Sequence, residues 1–205
     1  MRTSFPGTAP DQPALPKVDA IVVGASAGGV EALLKIFRPL PRGFGLPIIA
    51  VLHLPDARRS LLAEVFSAQL AIAVKEADDK ESIAPGTLYF AAPGYHLSVE
   101  SDYTLSFSQE ERVYHSRPSI DFLFASAADA YERRLAGVLL TGANNDGAQG
   151  MARIKEYGGL TVVQDPALAL ARTMPDAALA LHTPDFLLPL PDIGLLLVEL
   201  ERIAC

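Results

Sequence analysis

Short apolar segments alternate with segments of helical periodicity along most of this 205-residue chain, and this alternation is the feature that most limits its possible folds. Strands are predicted where aliphatic and β-branched residues run together between glycine, proline or polar residues: 20–23, 48–52, 135–141 and 160–164. Helices are predicted where apolar residues recur on one side: 30–37, 61–70, 120–134 and 148–157. The pattern predicts an α/β fold, a doubly wound, mostly parallel sheet with helices on both faces.

A second strand pattern interrupts this alternation. Residues 95–99 and 104–107 alternate apolar and polar side chains, with a short polar stretch between them, which predicts a β-hairpin excursion from the main sheet. The chain length is typical of one domain, which we place at residues 18–205. Residues 1–17 contain prolines 6, 10, 13 and 16 and are predicted to form a flexible, Pro-rich leader or linker.

Charge and cysteine content limit the class of protein. Lysine and arginine total 17 against 24 acidic residues, and the formal charge of −7 disfavours attraction to nucleic acids or anionic membranes. The single cysteine, Cys205, excludes an intrachain disulfide and a thiolate metal cage. No apolar segment reaches the roughly 20 residues that span a bilayer, and no secretory signal is present. We expect a soluble, cytoplasmic protein with no nucleic-acid partner and no direct membrane insertion.

The first predicted strand runs into Gly24-Ala25-Ser26-Ala27-Gly28-Gly29, which contains the pattern G-x-S-x-G. A tight strand-to-helix turn needs glycines, and it raises a serine hydroxyl to a helix N-terminus, where developing negative charge is stabilised. The same residues could form a simple packing turn, or a phosphate cradle related to the fingerprint G-x-G-x-x-G. The cradle is disfavoured because Ser26 replaces the second glycine and because no acidic ribose partner ends the next strand.

Two further polar residues follow predicted strands. His53 comes directly after 48–52, and Asp146 lies in the glycine-containing loop after 135–141. Because the carboxyl ends of parallel strands lie at one edge of a sheet, we predict that Ser26, His53 and Asp146 meet there as nucleophile, base and orienting carboxylate. The structural alternatives are a hydrogen-bonded loop histidine and an aspartate at a helix N-cap. The chain order Ser-His-Asp differs from the Ser-Asp-His order of α/β-hydrolases.

Six segments in series resemble one known family. They are 24–29 around the serine, 53–55 around the histidine, 92–97, 117–121, 140–147 around the aspartate, and 174–178. Their order and spacing over about residues 18–200 are similar to the catalytic domain of the chemotaxis protein-glutamate methylesterase (CheB) family.

The resemblance implies a serine hydrolase that cleaves glutamate γ-methyl esters on the cytoplasmic signalling helices of chemoreceptors and releases methanol. In many family members the same site also deamidates receptor glutamines. No metal and no organic cofactor is implied. Full-length members often carry a receiver domain ahead of this one, and no such segment is visible here, so we expect an upstream receiver or kinase partner that acts in trans.

Three other positions enter through the resemblance. The family has threonine after the serine and methionine in the loop before the aspartate, where this chain has Ala27 and Ala143. Both positions are expected to line the substrate-binding or oxyanion site, and the two alanines also favour an alternative, a catalytically weakened CheB-like adaptor domain. His96 matches a second family histidine and is expected to contact substrate; its alternative is a hairpin residue that faces solvent.

Overall fold

The computed structural model describes residues 15–54 and 61–204. The predicted leader, residues 1–17, therefore lies outside the described residues except for its last three. Leu15, the first of these, packs against the hydrophobic core. The segment 53–55 is also only partly described, because residues 55–60 lie outside.

Parallel strands form the main sheet. In the described ranges the strands are β1 (Ala20–Ala25), β2 (Ile48–Leu52), β3 (Ala73–Glu76), β4 (Thr87–Phe90), β5 (His96–Val99), β6 (Leu105–Ser108), β7 (Leu135–Leu139), β8 (Leu160–Gln164) and β9 (Phe186–Leu188). The main sheet has the order β3-β4-β2-β1-β7-β8-β9, and every neighbouring pair in it is parallel.

Helices cover both faces of this sheet. They are α1 (Gly29–Phe37), α2 (Leu62–Ser67), α3 (Ile120–Tyr131), α4 (Ala148–Glu156), α5 (Thr173–Leu181) and α6 (Leu190–Ala204). Successive side chains of a strand point to opposite faces, and β1 shows the result. Ile21 and Val23 pack into a core with α1, α2 and α6, whereas Ala20 and Val22 pack into a second core with α3, α4 and α5. The doubly wound α/β fold is confirmed.

The predicted hairpin is also confirmed. Strands β5 and β6 are antiparallel, with His96 opposite Ser108, and β5 packs on α3. Three predicted elements were too long. The helix predicted at 61–70 ends at Ser67. The regular strand predicted at 135–141 ends at Leu139. The helix predicted at 120–134 ends at Tyr131, because Glu132 takes a positive φ of 51° and starts a short 3-10 turn.

Several elements were not predicted, namely β3, β4, β9, α5 and α6. The three strands have only three or four residues each. Such short segments become strands through pairing rather than through a local pattern: β4 pairs with β2, β3 with β4 and β9 with β8. No helix in the described part of the chain has the combined length and apolarity that crossing a membrane requires.

The strand order determines where a site can form. From β1 the chain moves outward through β2 and then returns to the other side of β1 as β7. The order of strands therefore reverses at β1. In open α/β sheets, ligands bind in the crevice that such a reversal forms at the carboxyl ends of the strands. The segments after β1, β2 and β7 therefore lie side by side.

Candidate active site

Ser26 directly follows β1 at the carboxyl edge of the sheet. Its N–H donates to the carbonyl of Thr141 at 2.9 Å, which ties the serine turn to the loop after β7. Gly28 has a φ of 78°, a left-handed conformation that glycine adopts without strain, and α1 begins at the next residue. The turn leaves Ser26 half-buried immediately before the N-terminus of a helix.

His53 follows β2 and lies beside the serine turn. Its backbone N–H donates to the carbonyl of Ala25 at 3.1 Å. The ring Nε2 lies 2.9 Å from Oδ2 of Asp146. An ionised carboxylate only accepts hydrogen bonds, so Nε2 carries the hydrogen and Nδ1 keeps a free lone pair. Nδ1 is therefore the basic nitrogen of this histidine.

Asp146 is a fully buried carboxylate at the N-terminus of α3. Besides His53, it accepts hydrogen bonds from Ser119 Oγ at 2.9 Å, from Ile120 N at 2.8 Å and from Asp121 N at 2.9 Å. Burial raises the pKa of Asp146, but the hydrogen bonds from His53 and from the backbone of Asp121 and Ile120 outweigh it and hold the pKa below its ordinary value. The carboxylate is therefore ionised, as an anion at a helix N-terminus is favoured to be.

The helix N-cap alternative for Asp146 is wrong. The helix that follows it in sequence, α4, has Gly147 at its N-cap position, with a φ of 89°. The carboxylate of Asp146 instead serves the start of α3 and the ring of His53. Asp146, which follows β7, thus connects the end of β2 at His53 with the start of α3.

A second serine, Ser116, which the sequence patterns did not indicate, contacts His53. Val113 and Ser116 exchange backbone hydrogen bonds of 3.1 and 2.7 Å around Tyr114 and His115, whose positive φ angles of 47° and 65° form a tight two-residue turn. The turn places Ser116 Oγ 3.3 Å from Nδ1 of His53. No hydrogen bond joins Ser26 to the His53 ring in the described conformation.

His96 lies behind the site rather than in it. Its ring is fully buried and stacks on Phe122 with 4.1 Å between centroids. Ser119 N donates to Nδ1 at 3.1 Å, and Nε2 lies 3.0 Å from the carbonyl oxygen of Glu111. Burial lowers the pKa of His96, which favours the neutral ring. Neither the predicted substrate contact nor the solvent-facing alternative agrees with this position, because the ring supports the start of α3.

Ala27 and Ala143 are both exposed at the edge of the site. Thr141 Oγ1 donates to the carbonyl of Ala27 at 2.8 Å and accepts from Ala171 N at 2.9 Å, so three loops meet here. The N–H groups of Ala27 and Ala143 donate to no other described residue. They remain available to a ligand, as oxyanion-hole donors must be.

A cavity of about 230 Å³ opens beside His53 and is lined by His53, Leu54, Arg112, His115, Ser116, Arg117 and Pro118. Arg117 forms part of its structural frame, because its guanidinium donates to the carbonyls of Gln109 and Glu110 at 2.9 Å each. Within residues 15–54 and 61–204, no three His, Cys, Asp or Glu side chains are grouped as metal ligands would be.

The chain is similar to known proteins over most of its length. The family model described as CheB methylesterase matches residues 21–197. A protein of Leptospira interrogans named "Putative protein-glutamate methylesterase/protein-glutamine glutaminase" is 47% identical over 184 residues, which are 90% of this chain and 95% of that protein. The protein-glutamate methylesterase FrzG of Myxococcus xanthus is 36% identical over 184 residues, which are 90% of this chain and 55% of that protein.

A solved structure shows the same fold. The Thermotoga maritima CheB methylesterase catalytic domain aligns with a TM-score of 0.84 at 30% identity, over 90% of this chain and 100% of that domain. The chain thus spans nearly all of the Leptospira protein and about half of the Myxococcus protein. The sequence match and the shared fold together show that this chain belongs to the CheB methylesterase family.

Proposed function

We propose that this protein is a protein-glutamate methylesterase that removes γ-methyl esters from glutamates on the cytoplasmic signalling helices of chemoreceptors, in chemotaxis adaptation. The observation that supports this most is the His53–Asp146 pair, 2.9 Å apart, held beside Ser26 at the carboxyl edge of β1, β2 and β7. Family membership supports the choice of substrate, since the relatives carry this activity in their names.

The first half of the proposed reaction transfers the glutamyl group to Ser26. His53 accepts the hydroxyl proton at Nδ1 while Oγ of Ser26 attacks the ester carbonyl carbon. Asp146 keeps the hydrogen on Nε2 and stabilises the imidazolium that forms. The tetrahedral intermediate then breaks its bond to the methoxy oxygen, and the proton held by His53 leaves with methanol.

The second half hydrolyses the glutamyl-enzyme. Water loses a proton to Nδ1 of His53 as it attacks the acyl carbon, and the proton returns to Ser26 when the C–O bond to the serine breaks. The product is a glutamate carboxylate. In both halves, the N–H groups of Ala27 and Ala143 are our proposed donors to the oxyanion, next to the N-terminus of α1.

Ser116 affects how the first proton transfer starts. In the described conformation Nδ1 of His53 faces Ser116 Oγ at 3.3 Å. We propose that Ser26 comes into hydrogen-bond distance of Nδ1 when substrate binds, because catalytic hydrogen bonds often tighten only in the complex. Ser116 would then release the nitrogen to the nucleophile.

The same chemistry extends to an amide. The name of the Leptospira relative pairs the esterase with protein-glutamine glutaminase activity, and the acyl-enzyme route would release ammonia from a receptor glutamine in the same two halves. We place the reaction in the cytoplasm, with regulation by an upstream receiver or kinase partner in trans.

Methanol release tests this function. A chemoreceptor cytoplasmic fragment with isotopically labelled methyl esters is incubated with the wild type and with Asp146→Asn. The wild type should release labelled methanol, and Asp146→Asn should be about 10³-fold slower or worse, because an amide favours the wrong imidazole tautomer. The adaptor alternative, which Ala27 and Ala143 favour, predicts binding of the fragment with no release by either protein.

A further inference from the structure

Leu168 and Leu170 are strongly exposed in the loop between β8 and α5. Their exposed fractions are 62% for Leu168 and 81% for Leu170. A single exposed leucine is common on protein surfaces, but the position of Leu170 is specific. Its side chain packs over Gly28, where an added Cβ would lie 2.7 Å from Cδ2 of Leu170. Gly28 is two residues after Ser26, so Leu170 borders the proposed nucleophile.

The backbone on either side of Leu170 is anchored. Ala171 N donates to Thr141 Oγ1 at 2.9 Å, and the carbonyl of Ala171 accepts from Gly142 N at 3.0 Å. On the other side, Leu168 N donates to the carbonyl of Asp165 at 3.0 Å. The two bonds of Ala171 connect the loop to the segment after β7, which carries Ala143 and Asp146. The fold thus holds an exposed leucine in a fixed place beside the site.

Other apolar side chains border the same site. Val30, in the first turn of α1, and Leu54, next to His53, are each 39% exposed. We call Val30, Leu54, Leu168 and Leu170 the apolar rim. Exposed apolar side chains at the edge of a site often contact a macromolecular partner.

We propose that Leu170, assisted by Leu168, is a specificity-determining residue that contacts the substrate helix beside the esterified glutamate. This inference rests on the proposed function and names what the site recognises besides the ester. Side chains three and four positions from a residue share its face of a helix. When the glutamyl ester of a substrate helix reaches Ser26, a side chain three or four positions away on the same helix contacts the apolar rim. The structure therefore favours an amphipathic helix with an apolar residue one turn from the ester.

The test compares two substrates in one protein. For Leu170→Ala, kcat/KM is measured for methanol release from the methylated receptor fragment and for hydrolysis of p-nitrophenyl acetate, which has no helix to contact the rim. The ratio of kcat/KM for the receptor fragment to kcat/KM for p-nitrophenyl acetate should fall about tenfold, because much of one leucine contact with the helix is lost. Leu170→Met, which retains an apolar side chain of similar size, should restore most of the ratio.

Leu195→Ala is the matched control. Leu195 is also a half-exposed leucine, at 49%, but it lies on α6. This helix packs on α1, and a Cβ added to the adjacent Gly194 would lie 3.1 Å from the carbonyl oxygen of Ile36, near the far end of α1. Its substitution should not change the ratio. An unchanged ratio in Leu170→Ala would overturn the inference, whether both constants stay constant or both fall together. Absence of methanol release by the wild type would instead overturn the proposed function itself.

Discussion

Asp146 shows why a single side chain in this site depends on many others. Its carboxylate is fully buried, a position that disfavours charge, yet it is ionised because donors from α3 and His53 surround it. Ser119, the residue directly before α3, is also a side-chain donor to Asp146, with its Oγ 2.9 Å from Oδ1. It also caps α3 by accepting from Phe122 N at 3.4 Å. The proposed effect of Ser119 on activity, through Asp146, can be separated from its effect on stability, through the cap of α3.

Ser119→Ala should lower kcat/KM for an activated ester about tenfold, because a hydrogen bond to a charged group contributes roughly 1.5–3 kcal/mol. The control is Ser126→Ala on the same helix, whose Oγ accepts from Val99 N at 3.0 Å and donates to the carbonyl of Phe122 at 2.9 Å. Both variants should unfold at lower urea concentration, but only Ser119→Ala should lose activity. Equal activity losses in the two variants would show that Ser119 acts only on stability.

Local sequence patterns indicate the positions of some site residues and not of others. Ser26, His53 and Asp146 each follow a strong apolar strand, so their common edge could be predicted from local patterns. Ser116 could not, because it reaches His53 through a two-residue turn in an irregular segment. The position of His96 was mispredicted for a similar reason. Its burial results from packing between β5 and α3, which the strand pattern does not reveal.

At the scale of elements, the first turn of α3 concentrates negative charge. Asp121 lies in this turn, next to Asp146, and its Oδ1 accepts from Gly150 N of α4 at 2.7 Å. Burial, together with the neighbouring charge of Asp146, raises the pKa of Asp121 to about 6 although the bond from Gly150 opposes the rise. The folded protein therefore holds this carboxylate ionised at neutral pH at a cost in stability.

Asp121→Asn should remove that cost. Above about pH 6 the carboxyl is ionised in both states but disfavoured in the folded one, so the variant should be more stable at about pH 7.5, by on the order of 1–3 kcal/mol. As the pH falls through 6 towards the ordinary value of 3.8, the wild-type carboxyl becomes protonated in the folded state. The difference should then approach zero near pH 4.

Urea unfolding at the two pH values measures this difference. The substituted amide oxygen can still accept from Gly150 N, so the link between α3 and α4 is retained. A stability difference that is the same at both pH values would contradict the assigned pKa of Asp121.

At the scale of the whole molecule, the sheet was predictable and its edges were not. The central strands β1, β2, β7 and β8 are fully buried apolar segments, which sequence patterns detect well. By contrast, β3 has no fully buried residue and β9 has three residues, so both depend on their neighbours. Because the site lies at the reversal of strand order around β1, the central strands were sufficient to bring its three proposed catalytic residues together.

We propose that Ser26 is the nucleophile, and not Ser116, the serine that contacts His53 in this conformation. The two serines differ in setting. Ser26 precedes the N-terminus of α1 and the available N–H group of Ala27. Ser116 instead follows a two-residue turn, and the first N–H groups of the next helix, α3, already donate to the carboxylate of Asp146. Only Ser26 therefore has the surroundings that stabilise an oxyanion.

The most direct measurement is methanol release from the methylated receptor fragment by Ser26→Ala and Ser116→Ala side by side, with circular dichroism to verify that both are folded. We predict that Ser26→Ala loses about 10³-fold or more in kcat/KM, because a methyl group cannot attack an ester. Ser116→Ala should lose less than about tenfold, the effect of one neutral hydrogen bond. Retained turnover in folded Ser26→Ala, together with its loss in Ser116→Ala, would contradict the account and assign the nucleophile to Ser116.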